Sequence, residues 1–337
     1  MAQYLIRRMI GFLVVLLGVM IVTFVLVRKL PGGPFDFVGD RQLPPQVVAN
    51  IEARYHLDWP MWKQFLSYVV GDDILGEEGT SRGLIRGDFG LSLTFRSLAV
   101  ADIIATTLPL SFQLGFMALF LGLLMGVPAG TLAALKQNSI WDYFATFGAV
   151  FFLSVPNLVL APVLIWIFAL RLGWLPVAGW EAQEACFGVF PCAQDVNVDY
   201  FKHAILPALA LGTAAAAGIA RLTRGSLLQV LREDYIRTAR AKGLKEKTVI
   251  WLHAMKNGII PVVTYLGPVF AALITGTFIV EQIFGLNGLG KHFVQSIGNR
   301  DYTLLMGVTL LYSVVLIAAN LLVDISYAAL DPRIRFD

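Results

Sequence analysis

The 337 residues are 57% apolar and 15% charged, against about 45–50% and 25% in a soluble globular chain, and the mean hydropathy is +0.70. This composition excludes intrinsic disorder, a fibrous repeat and a free nucleic-acid binder, and a net charge of only +3 makes the placement of basic residues matter more than their sum. Two cysteines exclude a disulfide scaffold and a Cys-rich zinc or iron–sulfur site, and His56, His203, His253 and His292 are too scattered for an i, i+4 metal pair.

Six apolar runs of roughly membrane-spanning length predict an all-α, polytopic membrane protein with six transmembrane helices. They are Ile10 to Val27, Leu108 to Leu135, Phe144 to Leu170, Ala204 to Ala220, Ile259 to Val280 and Thr303 to Leu322. The first is too long for a signal-peptide core and has no small-residue cleavage site after it, so it reads as a retained span. The predicted organisation is a first helix over 1–30, an external cap over 31–100, a core over 101–330 with a cytoplasmic loop at 221–257, and a tail over 331–337.

Basic residues set the orientation. With the N-terminus inside and the long first loop set aside, 14 Lys and Arg fall on the inner side and four on the outer. Both termini are therefore expected in the cytoplasm.

The first external loop predicts structure of its own. Pro44 and Pro45 open a segment with Val47, Val48, Ile51 and Tyr55 at near-helical spacing, and a second piece after Pro60 carries Trp62, Phe65, Leu66 and Val69. A cap that touches a partner, or a helix lying on the membrane surface, both fit. Asp88-Phe89-Gly90 spells a kinase tripeptide without any other kinase feature. Gly285 to Lys291 fits GxxxxGK, but His292 stands where a P-loop needs Ser or Thr, so a glycine-rich turn is expected and not a nucleotide site.

Within the second run Gly122, Gly126 and Gly130 recur every four residues, and Ala214 to Gly218 make a smooth patch in the fourth; both predict close helix packing. Pro128, Pro156, Pro162 and Pro268 fall within runs and require neighbours to satisfy the freed backbone groups. Few ionisable groups lie at membrane depth. Asp324 is the clearest, with an anchoring role toward an inner-segment arginine expected. Cys186 and Cys192 share the second external loop, where an oxidising exterior permits a bridge worth about 2 kcal/mol in the chain-entropy model; two idle thiols are the alternative.

The inner segment Arg221 to Lys256 holds nine of the 26 basic residues. Leu227, Leu228, Leu231 and Tyr235 mark one helical face. Asp234 is placed to cap a short helix from Tyr235 to Lys242, and Gly243 stands where a helix stops with positive φ. The run Glu233, Asp234, Tyr235, Ile236, Arg237, Thr238, Ala239, Arg240, Ala241, Lys242, Gly243, Leu244, followed by His253, Ala254 and Asn257 to Pro261, resembles the ATPase-coupling loop of binding-protein-dependent ABC importer permeases, in their peptide and nickel branch. Of the general Glu-Ala-Ala, three residues, Gly pattern, only Ala239 and Gly243 match; such departures are usual in the peptide branch. Ala49 to Leu57, Ala134 to Asn138, Trp141 to Tyr143, Ile219 to Ser226 and Asp331 to Arg335 extend the likeness, most closely to the B-type subunit of oligopeptide permeases.

The resemblance implies a type I ABC importer permease fold in a bacterial inner membrane. It implies a pore shared with a homologous C-type permease subunit, two ABC ATPase subunits that hold ATP and Mg, an external peptide-binding protein, surrounding membrane lipid and a peptide substrate. No catalytic residue, cofactor or metal is expected on this chain, and no nucleic acid. A same-fold permease for nickel or another small solute, or an ion-coupled secondary transporter, is the alternative; no inverted repeat or chain of buried carboxylates supports the latter.

Overall fold

The computed structural model describes residues 2–29, 46, 52–53, 55–76, 81–95, 98–180, 185–187, 189–191, 196–275 and 277–330. The described residues are almost entirely helical: α1 Ala2–Arg28, α2 Met61–Val70, α3 Val100–Leu135, α4 Ile140–Ser154, α5 Asn157–Arg171, α6 Val198–Val230, α7 Asp234–Ala241, α8 Glu246–Gly258, α9 Ile260–Thr275, α10 Phe278–Ile283, α11 Leu289–Gly298 and α12 Tyr302–Leu330. A two-stranded antiparallel hairpin, β1 Ala185–Phe187 and β2 Phe190–Pro191, precedes α6.

Four helices are long and apolar enough to cross a membrane, or up to six if each of two bent pairs is one span. The third apolar run is not one straight helix. Pro156 has no N–H to donate and holds Val155 in an extended conformation, so the chain turns by 107° between α4 and α5. The fifth run stops at Thr275, and α10 is a separate short helix. The fourth helix is longer than its apolar run: α6 continues through Arg221 and Arg224 to Val230, so the inner loop begins later than the position of the basic residues suggested.

The chain forms two compact units. The first is built, among the described residues, from 109–288 and 315–330. Its core joins Leu110, Leu114 and Ala118 of α3, Ala161 of α5, Leu206 and Ala210 of α6, and Val280 and Phe284 at α10. Asn197 caps α6 by accepting from the Tyr200 N–H at 2.9 Å. Tyr200 in turn donates its hydroxyl to Gln113 of α3 at 3.1 Å.

Lipid is as apolar as leucine, so these helices associate through close packing and not through escape from water. Gly122, Gly126 and Gly130 lie against α6. A Cβ on Gly126 would stand 2.6 Å from the Ala216 carbonyl oxygen, and one on Gly130 2.4 Å from that of Ala220. Gly212 returns the contact: its Cβ would stand 2.7 Å from the Ala118 carbonyl oxygen. Backbone therefore touches backbone along three turns of each helix.

The second unit comprises residues 2–108 and 289–314. Met20 and Phe24 of α1 pack with Phe65, Tyr68 and Val69 of α2 and with Met306 and Leu310 of α12. Of the expected cap helices, α2 follows Pro60 as the sequence suggested, with Trp62 left 66% exposed; the earlier one, from Pro44, falls largely outside the described residues. Asp301, fully buried, caps α12 by accepting from the Leu304 N–H at 3.1 Å, and its other oxygen accepts from the Thr94 N–H at 3.1 Å. One carboxylate thus starts a long helix and pins the loop that leads into α3.

Gly126→Ala and Gly130→Ala are each expected to lower the thermal unfolding midpoint of the purified protein in detergent, through overpacking of about 1–3 kcal/mol. Gly225→Ala in α6, where a Cβ would meet nothing within 4 Å, is expected to leave it equal or higher. Equal midpoints for all three variants would remove the close-packing argument.

Candidate functional site

The inner segment after α6 forms a short helix whose anchoring face is set by spacing. Ile236 and Ala239, three residues apart on one face of α7, are buried among Ala134 of α3, Leu227 of α6, and Val249, Ala254 and Met255 of α8. The opposite face is open. Tyr235, Arg237, Thr238, Arg240, Ala241 and Lys242 are all exposed. The helix is thus held from behind by apolar contacts and presents a cationic front.

Its termini differ in part from the sequence reading. The helix runs from Asp234 to Ala241, one residue ahead of the expected span. Asp234 is therefore not the cap; it occupies the first turn, where its carboxylate favours the helix dipole and accepts from Arg237 at 3.3 Å. Glu233 is at the N-cap position and its side chain makes no capping bond. At the other end Gly243 has φ +75°, with its N–H bonded to the Arg240 carbonyl at 2.9 Å and the Leu244 N–H reaching back to Ala239 at 3.4 Å. These two bonds close the helix as a Schellman turn. A Cβ on Gly243 would meet nothing within 4 Å, so the requirement for glycine is torsional and not steric.

Side chains fix the helix to the next segment. Arg240 donates to both oxygens of Glu246, at 3.2 and 2.6 Å, and this bond holds the guanidinium above its ordinary value. Asn257 of α8 donates to the Tyr235 hydroxyl at 2.9 Å. The Thr238 hydroxyl stays local, on the Asp234 carbonyl at 2.9 Å. Leu244, 40% exposed, adds an apolar edge beside the cationic face.

Besides Asp72 and Asp301, two buried carboxylates escaped the sequence reading. Asp142, in the first turn of α4, receives Arg224 of α6 in a bidentate pair at 2.6 and 2.8 Å, with a third bond from the Asn138 N–H at 2.9 Å. Glu281 of α10 is completely buried and accepts from the Ser111 hydroxyl at 2.8 Å and from Thr277. Gly288 lies directly on it: a Cβ there would stand 2.3 Å from the carboxylate carbon. Glu281 is therefore more deeply buried than Asp324, which is half-buried on α12. The glycine-rich segment from Gly285 covers this carboxylate and runs into α11; it is a turn with φ +67° at Gly285. Of the cysteines, Cys186 is in β1, and Cys192 lies outside the described residues. Among the described residues no cluster of three His, Cys, Asp or Glu is placed to hold a metal.

Residues 126–336 match the family of binding-protein-dependent transport system inner membrane components, and residues 1–115 match that family's N-terminal region. The chain belongs to this family. The match includes α7 and both flanking helices, so the coupling-loop resemblance falls inside it. The family is one of inner-membrane proteins, in accord with the long apolar helices. The oligopeptide transport system permease proteins OppB of Haemophilus influenzae and of Escherichia coli K12 are each 41% identical over 336 residues, covering 100% of both chains. A dipeptide transport system permease protein, DppB of Bacillus subtilis, is 39% identical over 335 residues, covering 99% of this chain and 98% of its own. The fold is that of ABC importer permeases: an inward-facing MetNI methionine ABC transporter structure matches with a TM-score of 0.51 at 17% identity, over 68% of this chain and 97% of that one.

The Asp142–Arg224 pair ties the first turn of α4 to α6. Asp142 is 5% exposed at its side chain and Arg224 31%. Arg224→Gln strands a buried carboxylate, with an expected cost toward the lower end of about 3–5 kcal/mol because the site is partly solvated. Asp142→Asn with Arg224→Gln is expected to recover part of that. Thermal unfolding in detergent measures both; equal midpoints for the single and wild-type proteins would show that the pair contributes nothing.

Proposed function

We propose that the chain is a pore-forming permease subunit of an ATP-driven importer of peptides, oligopeptides first and dipeptides next. The full-length identity to oligopeptide and dipeptide permeases supports this substrate class. A homologous C-type permease completes the pore, two ATPase subunits dock on the cytoplasmic side, and an external binding protein delivers the peptide. ATP and Mg belong to the ATPase subunits; this chain holds no nucleotide and hydrolyses none. Both termini lie in the cytoplasm.

The observation that carries the mechanism is the two-faced α7. Its apolar side is seated on α3, α6 and α8 through Ile236 and Ala239, while its exposed polar side is accessible to a groove on an ATPase. When the ATPases close on ATP, their grooves move, α7 moves with them, and the seat transmits that motion to the feet of the spanning helices. The pore then exchanges external for internal access. Rigidity decides whether this works: a frayed helix would absorb the displacement, and the Gly243 turn opposes fraying, with a small addition from the exposed Arg240–Glu246 pair.

Gly243→Val tests the reading. A β-branched residue at φ +75° costs at least about 1 kcal/mol and re-aims the chain after the helix. The assembled importer in vesicles is expected to lose most peptide uptake and the ATPase stimulation by loaded binding protein, while the amount of complex stays near wild type. Wild-type uptake and stimulation would show that α7 is a charged tether and not the lever. Normal coupling with a solute other than peptide would overturn the substrate class alone.

A further inference from the structure

We propose that the first unit carries a binding groove for one acyl chain of an anionic phospholipid, with Arg221 as its headgroup ligand. Two open cavities run along α3, α4 and α6 and share Ala145, Ala149 and Ala220, so they form one groove. Its floor is made of residues with no bulk, among them Gly126, Gly130 and Ala216. Along α6, Arg221 and Arg224 stand at one end and Thr213 at the other, while α4 lines both cavities over the same stretch, from Phe144 and Ala145 to Phe152 and Leu153. The hydroxyls in it are satisfied locally, Thr146 on Asp142 at 3.3 Å and Thr213 on the Ala210 carbonyl at 3.3 Å. Water would find few partners there, and hydrocarbon fits.

Length and charge select the occupant. From Arg224 to Thr213 α6 rises about 16 Å, which matches the roughly 15 Å depth of one leaflet in a hydrocarbon core about 30 Å thick. The arginine end is at headgroup level by an independent mark: Trp141 and Tyr143, 52% and 63% exposed, sit beside Asp142, and Lys136 lies 5.5 Å from the Trp141 ring centroid. At that level the two arginines differ. Arg224 is neutralised by Asp142, whereas Arg221 is exposed and pairs with no carboxylate among the described residues. A basic group at the mouth of an apolar groove between spans suits a lipid phosphate. A protein helix laid in the same groove would bury an uncompensated cation. The inference depends on the membrane placement of the chain and not on the solute it passes.

Native mass spectrometry of the assembled importer in mild detergent tests it, with phosphatidylglycerol or phosphatidylethanolamine of equal chain length added. The wild type is expected to retain phosphatidylglycerol in preference. Arg221→Gln is expected to retain roughly five-fold less, the worth of one basic residue at an anionic surface. Arg232→Gln, which removes an exposed charge beyond the end of α6, is expected to change nothing. Ala149→Trp, which fills the groove, is expected to expel the lipid even if Arg221→Gln fails to assemble. Equal retention of the two lipids by the wild type, or undiminished retention by Arg221→Gln or Ala149→Trp, would overturn the proposal. So would cross-linking of Ala149→Cys to the paired permease, which would show that protein covers the groove.

Discussion

Direct contact between the backbones of α3 and α6 governs the first unit. With no water to expel inside a bilayer, two helices hold together only by the number of atoms they bring to van der Waals distance. Gly122, Gly126 and Gly130 remove the side chains that would hold α3 away, and Gly212 does the same from α6. Beyond the contact α6 runs on to Val230, and that end supports the rest. Leu227, in the last turn of α6, is a wall of the seat for α7. Arg224, one turn earlier, ties α6 to α4 through Asp142. The same closeness of small residues leaves the groove open on its outer side.

The inner segment converts that scaffold into a surface a partner can push. An isolated helix as short as α7 would not hold together in water. It persists because two apolar side chains reach the scaffold, a glycine turn closes its end and an ion pair fastens it to α8. Its charge is displayed outward, where a partner can pair with it at little desolvation cost. Under the proposed function the labour divides physically: the apolar seat would carry the motion, and the exposed polar face, where Arg237 and Arg240 pair with Asp234 and Glu246, would meet the partner.

Much of this was legible in the sequence. The apolar runs marked the spanning segments, and the four-residue glycine period marked a packing face. The short inner helix was visible as a segment between an acidic start at Asp234 and a glycine stop at Gly243, but not which of its residues are buried: Tyr235, counted with the apolar face, is exposed, and Ile236 and Ala239 make the seat. What stayed hidden depended on distant pairing. Asp142 and Arg224 are 82 residues apart, and Glu281 meets Ser111 across 170. No local spacing announces either pair. The bend at Pro156 was hidden for another reason: hydropathy does not register the loss of one N–H, so a broken span and a straight one read alike. The extension of α6 past its apolar run was missed because charged residues at the end of a helix look like a loop to a composition count. The cap of α7 moved by one residue because Asp is favourable both at a cap and in a first turn.

The most direct test of the account is disulfide cross-linking of the assembled importer. Thr238→Cys on the exposed face of α7 would be paired with single cysteines along the surface groove of an ATPase subunit, and Ala239→Cys on the buried face would serve as the comparison. The account predicts efficient cross-linking of Thr238→Cys, dependence of the yield on ATP, and arrest of transport until a reductant is added. Failure of Thr238→Cys to cross-link at any groove position, or full transport by the cross-linked complex, would contradict the assignment of α7 as the moving contact between the ATPases and the pore.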